Sequence, residues 1–302
     1  MKYSRRSFMG VAAAGALGTS GGLLSSFSAA GMSAAEAKKK AVLKISLQEG
    51  LTPGNSLGDK LDYMESLGVV GIEPGGGGLW NRVEEYQKAL QNRDVKVSAI
   101  CAGFEGWLIA EDPAIRKKCM ASMKQILEAA GAIGSTGLIF VPAFNSQVSL
   151  PHKEARAVLI DQLKELSEFA LQHKTRVLLE PLNRGECYFC RQVADAAAIS
   201  KDVGSEGAAV IGDFWHMTWE ETSDRGAFIS AGDYLHHVHI ASRKSRNTPG
   251  EDGEADNYID GFRGLKEIGF QDYISFECGS KGKREDTIPA AVKLIKEQWK
   301  KA

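Results

Sequence analysis

Two rhythms of apolar residues alternate along the chain. Short apolar runs are separated by longer stretches in which apolar side chains recur at helical spacing. Residues 43–47 alternate apolar and polar positions and predict a first strand. Residues 69–73, 95–101, 138–141, 177–180, 209–213, 235–240 and 273–277 predict seven more. Helices are predicted over 57–67, 80–90, 113–133, 153–173, 193–203, 220–231, 258–268 and 288–299. The breakers agree with these limits. Pro74 and four glycines stop the second strand, and Pro142 stops the fourth. Pro113 sits where a helix can begin without its N–H.

A helix follows every strand, the last included. The pattern therefore predicts an α/β protein built as a single (β/α)8 TIM barrel over residues 38–302. A doubly wound open sheet is the runner-up, and the count of eight disfavours it. Residues 243–257 form a polar stretch between the seventh strand and its helix, expected to be an active-site loop. Composition adds exclusions. With 43% hydrophobic and 25% charged residues the chain is ordinary globular material. The formal net charge of -1 lacks the basic excess of a protein that grips nucleic acid, so no nucleic-acid partner is expected.

The first 37 residues read as a leader rather than as fold. Lys2, Arg5 and Arg6 precede the uncharged stretch 10–30, and Ala35-Glu36-Ala37 offers a cleavage site. Ser4-Arg5-Arg6-Ser7-Phe8-Met9 resembles a twin-arginine export signal. Residues 1–37 are thus expected to be removed on export, leaving a periplasmic or secreted protein. The stretch is poor in Leu, Ile and Val, so no stable membrane insertion is expected after cleavage.

Polar residues gather at the strand ends, where a barrel keeps its chemistry. Glu73, Glu180, Asp213 and Glu277 each close a mostly apolar run, and His239 lies in the seventh strand. A carboxylate in such a place needs a cation or hydrogen-bond donors. Taken singly, each reads as a salt-bridged or capping group. Taken together, Glu180, Asp213, His239 and Glu277 on four successive strands suit one divalent ion, Mn²⁺, Mg²⁺, Co²⁺ or Zn²⁺. His237 shares the parity of His239 and is expected one layer deeper, as a hydrogen-bonded core residue.

The motifs Glu180-Pro181-Leu182-Asn183-Arg184-Gly185-Glu186, Asp213-Phe214-Trp215-His216, His237-Val238-His239-Ile240 and Ile274-Ser275-Phe276-Glu277 resemble the xylose isomerase-like TIM-barrel superfamily, along nearly all of residues 38–302. That resemblance implies that Glu180, Asp213, His239 and Glu277 bind the metal. It also implies that Glu180 and Glu277 form an acid–base pair, and that Glu186 and His216 contact the substrate's carbonyl end. Ion and pair together would carry proton abstraction beside a carbonyl through an enediolate. Epimerisation, aldose–ketose isomerisation and β-elimination all share that step. Ketose 3-epimerases of the superfamily carry an arginine six residues after the strand-seven histidine. Ser245 stands there in this chain, with Arg243 and Arg246 as candidate replacements. The superfamily's endonucleases use extra histidines that this chain lacks.

Glu73, Arg243, Arg246, Trp107 and Trp215 complete the expected substrate contacts, the tryptophans as stacking surfaces for a sugar ring. Cys187 and Cys190 are expected either to close a small disulfide or to pack reduced. The four glycines 75–78 lack the Lys and Ser/Thr of a phosphate loop and are expected to be a flexible mouth loop. The expected function is a metal-dependent isomerase or epimerase acting on an unphosphorylated sugar or keto-sugar. A lyase on a 3-keto-glycoside or inosose-type substrate is the alternative, and a non-catalytic sugar-binding barrel is the reading from another class. The sequence leaves room for a homo-oligomer.

Overall fold

The computed structural model describes residues 39–302. The leader expected over 1–37 lies outside the described residues. Strands and helices alternate as β1 (Lys44–Gln48), α1 (Leu57–Ser66), β2 (Gly71–Glu73), α2 (Val83–Ala89), β3 (Lys96–Val97), β4 (Ile100–Cys101), α3 (Pro113–Ala132), β5 (Leu138–Phe140) and α4 (His152–Gln172). The second half runs β6 (Val177–Leu179), α5 (Val193–Val203), β7 (Ala208–Asp213), α6 (Phe214–Glu220), α7 (Asp224–Ala231), β8 (Leu235–Ile240), α8 (Ile259–Ile268), β9 (Tyr273–Phe276) and α9 (Arg284–Lys301). All pairings are parallel, in the order β3-β2-β1-β9-β8-β7-β6-β5-β4.

Nine strands make eight staves, because β3 and β4 are two pieces of the third one expected. The segment changes partner midway. Ser98 N donates to Ile72 O on the β2 side at 2.9 Å, and Ile100 N donates to Gly137 O ahead of β5 at 2.8 Å. The barrel closes through this seam rather than through a continuous ladder.

Alternate strand residues face opposite sides. Outward residues such as Leu47, Ile72, Phe140, Leu179, Val238 and Phe276 join the helices in one large core. A second, inner cluster of Ala99, Ile139, Leu178, Ala209 and Ile211 fills the barrel. Across from it the interior is small and polar, with Ser46 and Ser98 hydroxyls 2.7 Å apart. Gly71 belongs to this crowded side, since a Cβ there would meet Ser46 Cβ at 2.7 Å.

Local chemistry explains the helix starts. Ser56 and Asp59 form a capping box on α1, and Asp112 caps α3 ahead of Pro113. The sequence misses α6, which starts one residue after β7 with no intervening loop, Asp213 accepting from Trp215 N at 2.8 Å. Within the glycine run only Gly76 is packed, since a Cβ there would sit 2.1 Å from Ala102 O, whereas Gly75 and Gly78 face open space. No described helix is long and apolar enough to cross a membrane.

Candidate active site

The C-terminal strand ends bring Glu180, Asp213, His239 and Glu277 together, one donor atom from each lying within 4.8 Å of the others. Glu180 follows β6, Asp213 ends β7, His239 lies in β8 and Glu277 follows β9. His239 Nδ1 is 3.1 Å from Glu277 Oε2 and 3.4 Å from Glu180 Oε1. Burial deepens across the set. Glu277 keeps 20% of its side chain accessible, Glu180 6%, and His239 none.

Whether these residues fit a cation is decided by their unpaired atoms. Glu180 Oε1 and His239 Nδ1 are buried with no hydrogen-bond partner, although such atoms are normally satisfied. Three carboxylates and one imidazole converging with orphaned lone pairs form a hard-to-borderline donor set that a small divalent ion completes. The residues fit.

Arg246 reaches the same place from the loop after β8. Its guanidinium lies 2.6 Å from Glu277 Oε2, 3.3 Å from Asp213 Oδ2 and 3.9 Å from Glu186 Oε1, and stacks 4.5 Å over the Trp215 ring. Its backbone adopts a φ of 54°, in the left-handed region, pinned by Gly279 N donating to Arg246 O at 2.9 Å. His216 sits on α6. Its Nδ1 accepts from Asn183 N at 3.1 Å, so its Nε2 carries the proton and stands buried and unpartnered, 3.6 Å from Asp213 Oδ2. Asn183 Nδ2 also reaches Glu186 Oε1 at 3.2 Å and thereby ties Glu186 to the site.

The electrostatics set these groups apart. Burial, reinforced by the charge of Glu277, pushes the Glu180 carboxyl up to about 7. Burial likewise raises Asp213, against the opposing charge of Arg246. Burial also works against ionisation of Glu277, but His239 and Arg246 outweigh it and hold this carboxyl well below the usual range. Burial and then the charge of Arg246 push His216 down to about 3, so it is neutral at physiological pH. Two carboxylates with opposed proton affinities in one space are the raw material of acid–base chemistry.

Two expected substrate contacts lie elsewhere. Arg243 is buried, with its guanidinium on Asp224, Phe214 O and Asn257 O, so it braces the loop. Glu73 is fully enclosed against His237 and His239, with no surface to offer a substrate. Trp107 is held at the rim through Nε1 donating to Val148 O at 3.2 Å. His237 is the hydrogen-bonded core residue expected. Cys187 and Cys190 are free, buried thiols. Gln48 and Asn183 were missed as site residues: each is a neutral amide whose part is set by its contacts, although Asn183 stands within the Glu180–Glu186 motif. A cavity of about 470 Å³ lined by Arg176, Glu206, Asp233 and His236 opens at the opposite end of the barrel, away from this chemistry.

Comparison with known proteins gives this architecture its class. The model of the xylose isomerase-like TIM barrel matches residues 61–298, and the chain belongs to that family. It is 30% identical over 246 residues to the 3-dehydro-D-guloside 4-epimerase of Escherichia coli K12, covering 78% of this chain and 92% of that protein. A crystal structure of 3-keto-D-glucoside 4-epimerase from E. coli superposes with a TM-score of 0.75 at 27% identity, covering 85% of this chain and 99% of that one. A D-psicose 3-epimerase of Enterocloster bolteae is 28% identical over 148 residues, 48% of this chain and 49% of its own length.

Proposed function

We propose that this chain is a divalent-metal-dependent epimerase of an unphosphorylated 3-keto sugar or 3-keto glycoside, exported by the twin-arginine route and freed of residues 1–37. That it is an enzyme of the isomerase–epimerase class follows from its relatives. The finer reading is carried by the convergence of Glu180, Asp213, His239 and Glu277 around two unpartnered donor atoms.

When bound, a divalent ion supplies Lewis-acid charge to the substrate's carbonyl and neighbouring oxygens. Glu180 and Glu277 are the acid–base pair. One takes the proton from the carbon beside the carbonyl, and the other returns a proton to the opposite face of that carbon, which inverts it. His216 donates from Nε2 to a substrate oxygen, because its Nδ1 is engaged by Asn183. Arg246 and Glu186 orient the remaining hydroxyls, and Trp215 holds the guanidinium flat.

The test is proton NMR in D₂O with Mn²⁺-loaded protein and a 3-keto glucoside. Inversion at the carbon next to the carbonyl with deuterium at that position is expected. Glu180→Gln and Glu277→Gln should each slow it about 10²–10⁴-fold. Release of the aglycone instead of inversion would make the protein a lyase. Absence of both deuterium uptake and turnover across keto sugars would leave a binding protein.

A further inference from the structure

Behind the four converging groups lies a second layer drawn from the other side of the barrel. Glu73 at the end of β2 places Oε1 3.0 Å from His239 Nε2 and Oε2 2.8 Å from His237 Nε2. Gln48 at the end of β1 donates its amide to Glu73 Oε1 at 2.9 Å and to Glu277 Oε1 at 3.2 Å. Glu73, His237 and His239 also cluster closely enough to suggest a second ion site. The 2.8 Å separation of Glu73 and His237 is a hydrogen-bond length, shorter than the roughly 3.3 Å expected between two ligands of one tetrahedral zinc. The group is therefore a hydrogen-bonded network.

We propose that Glu73 and Gln48 are positioning residues for metal capture. Glu73 accepts the Nε2–H of His239, which fixes that tautomer and turns the Nδ1 lone pair towards Glu180 and Glu277. A neutral imidazole holding its proton on the far nitrogen is the form that ligates an ion. Gln48 ties the same carboxylate to Glu277, so one amide sets the spacing of two of the four groups. His237 takes the other oxygen of Glu73 and prevents the carboxylate from rotating towards the mouth. The inference rests on the metal reading of the four-residue site.

The measurement is the Mn²⁺ dissociation constant of the purified chain, obtained by competition with a fluorescent chelator and with no sugar present. Glu73→Gln keeps the shape but cannot accept from both histidines. It should weaken Mn²⁺ binding about 10- to 100-fold, with Gln48→Ala near the lower limit. The KM for sugar at saturating Mn²⁺ should stay unchanged in both. Unaltered Mn²⁺ affinity with a raised KM would make Glu73 a substrate contact and overturn the proposal. If Glu73→Gln does not fold, as judged by its melting curve, Gln48→Ala decides, and unaltered affinity there overturns it as well. Failure of the unsubstituted protein to bind Mn²⁺ would overturn the four-residue site together with this inference. Normal binding in that protein and in both variants would overturn this inference alone.

Discussion

Arg246 combines a strained backbone with contacts to three carboxylates of the site. A non-glycine residue at positive φ persists only when its surroundings hold it there. Here Ser242 O receives Arg246 N at 3.2 Å and Gly279 N donates to Arg246 O. The turn aims the guanidinium at Glu277 and Asp213, although Ser245 stands six residues after His239. With saturating Mn²⁺, Arg246→Ala should raise KM for the sugar about 10- to 100-fold, the worth of a charge-assisted hydrogen bond. Steady-state kinetics checks this, and an unchanged KM would remove Arg246 from the substrate contacts. At this scale Glu180, Asp213 and Glu277 were legible because each closes an apolar run, where a charge is out of place without a partner, and His239 because it lies in the strand between them. The choice between Arg243 and Arg246 was not legible, because a left-handed turn inside a polar loop decides it. The displacement of Glu73 from the substrate side was hidden for a similar reason: its partners stand on a strand far away in sequence.

The elements are joined by ion pairs that leave a mark on acid stability. Glu49, just after β1, receives Arg82 through both guanidinium nitrogens at 2.9 and 2.8 Å and the Tyr86 hydroxyl at 2.8 Å, which fastens the N-terminus of α2 to the β1 strand end. Burial raises the Glu49 carboxyl, but the hydrogen bonds and charge of Arg82 with the Tyr86 hydroxyl outweigh it, so the group lies below its ordinary 4.5. A depressed carboxyl stabilises fully above its unfolded value and loses that contribution as pH falls through the folded one. Glu49→Gln should therefore cost about 1 kcal/mol at neutral pH. The difference from the unsubstituted protein should shrink below pH 4.5, as followed by denaturant melts across that range. An equal difference at neutral and acid pH would contradict the assignment. Element limits were legible wherever caps or breakers mark them, as at α3 and α5. They were not legible for α6, whose cap Asp213 is also one of the four converging groups. Nor were they for the third stave, which exchanges hydrogen-bond partners halfway along its length.

For the whole molecule, the proposed export through Arg5 and Arg6 is open to a direct test. Arg5→Lys with Arg6→Lys should leave the protein in the cytoplasm. Cell fractionation and immunoblotting read this directly, and unchanged export would discard the twin-arginine reading. The number of staves and the strand-end rule were legible because the repeat of strand and helix runs unbroken from 43 to 299. The seam was not, because both of its halves carry ordinary strand residues. That seam has a consequence of its own. The four converging groups occupy one arc, β6 to β9, whose strands all pair, with one bulge between β7 and β8, whereas the break falls on the opposite arc between β3 and β4. The molecule thus keeps its workbench and its seam on separate arcs. The mouth segment 102–112 leaves the barrel at that break, so a change in its length does not interrupt the strands that carry the four groups.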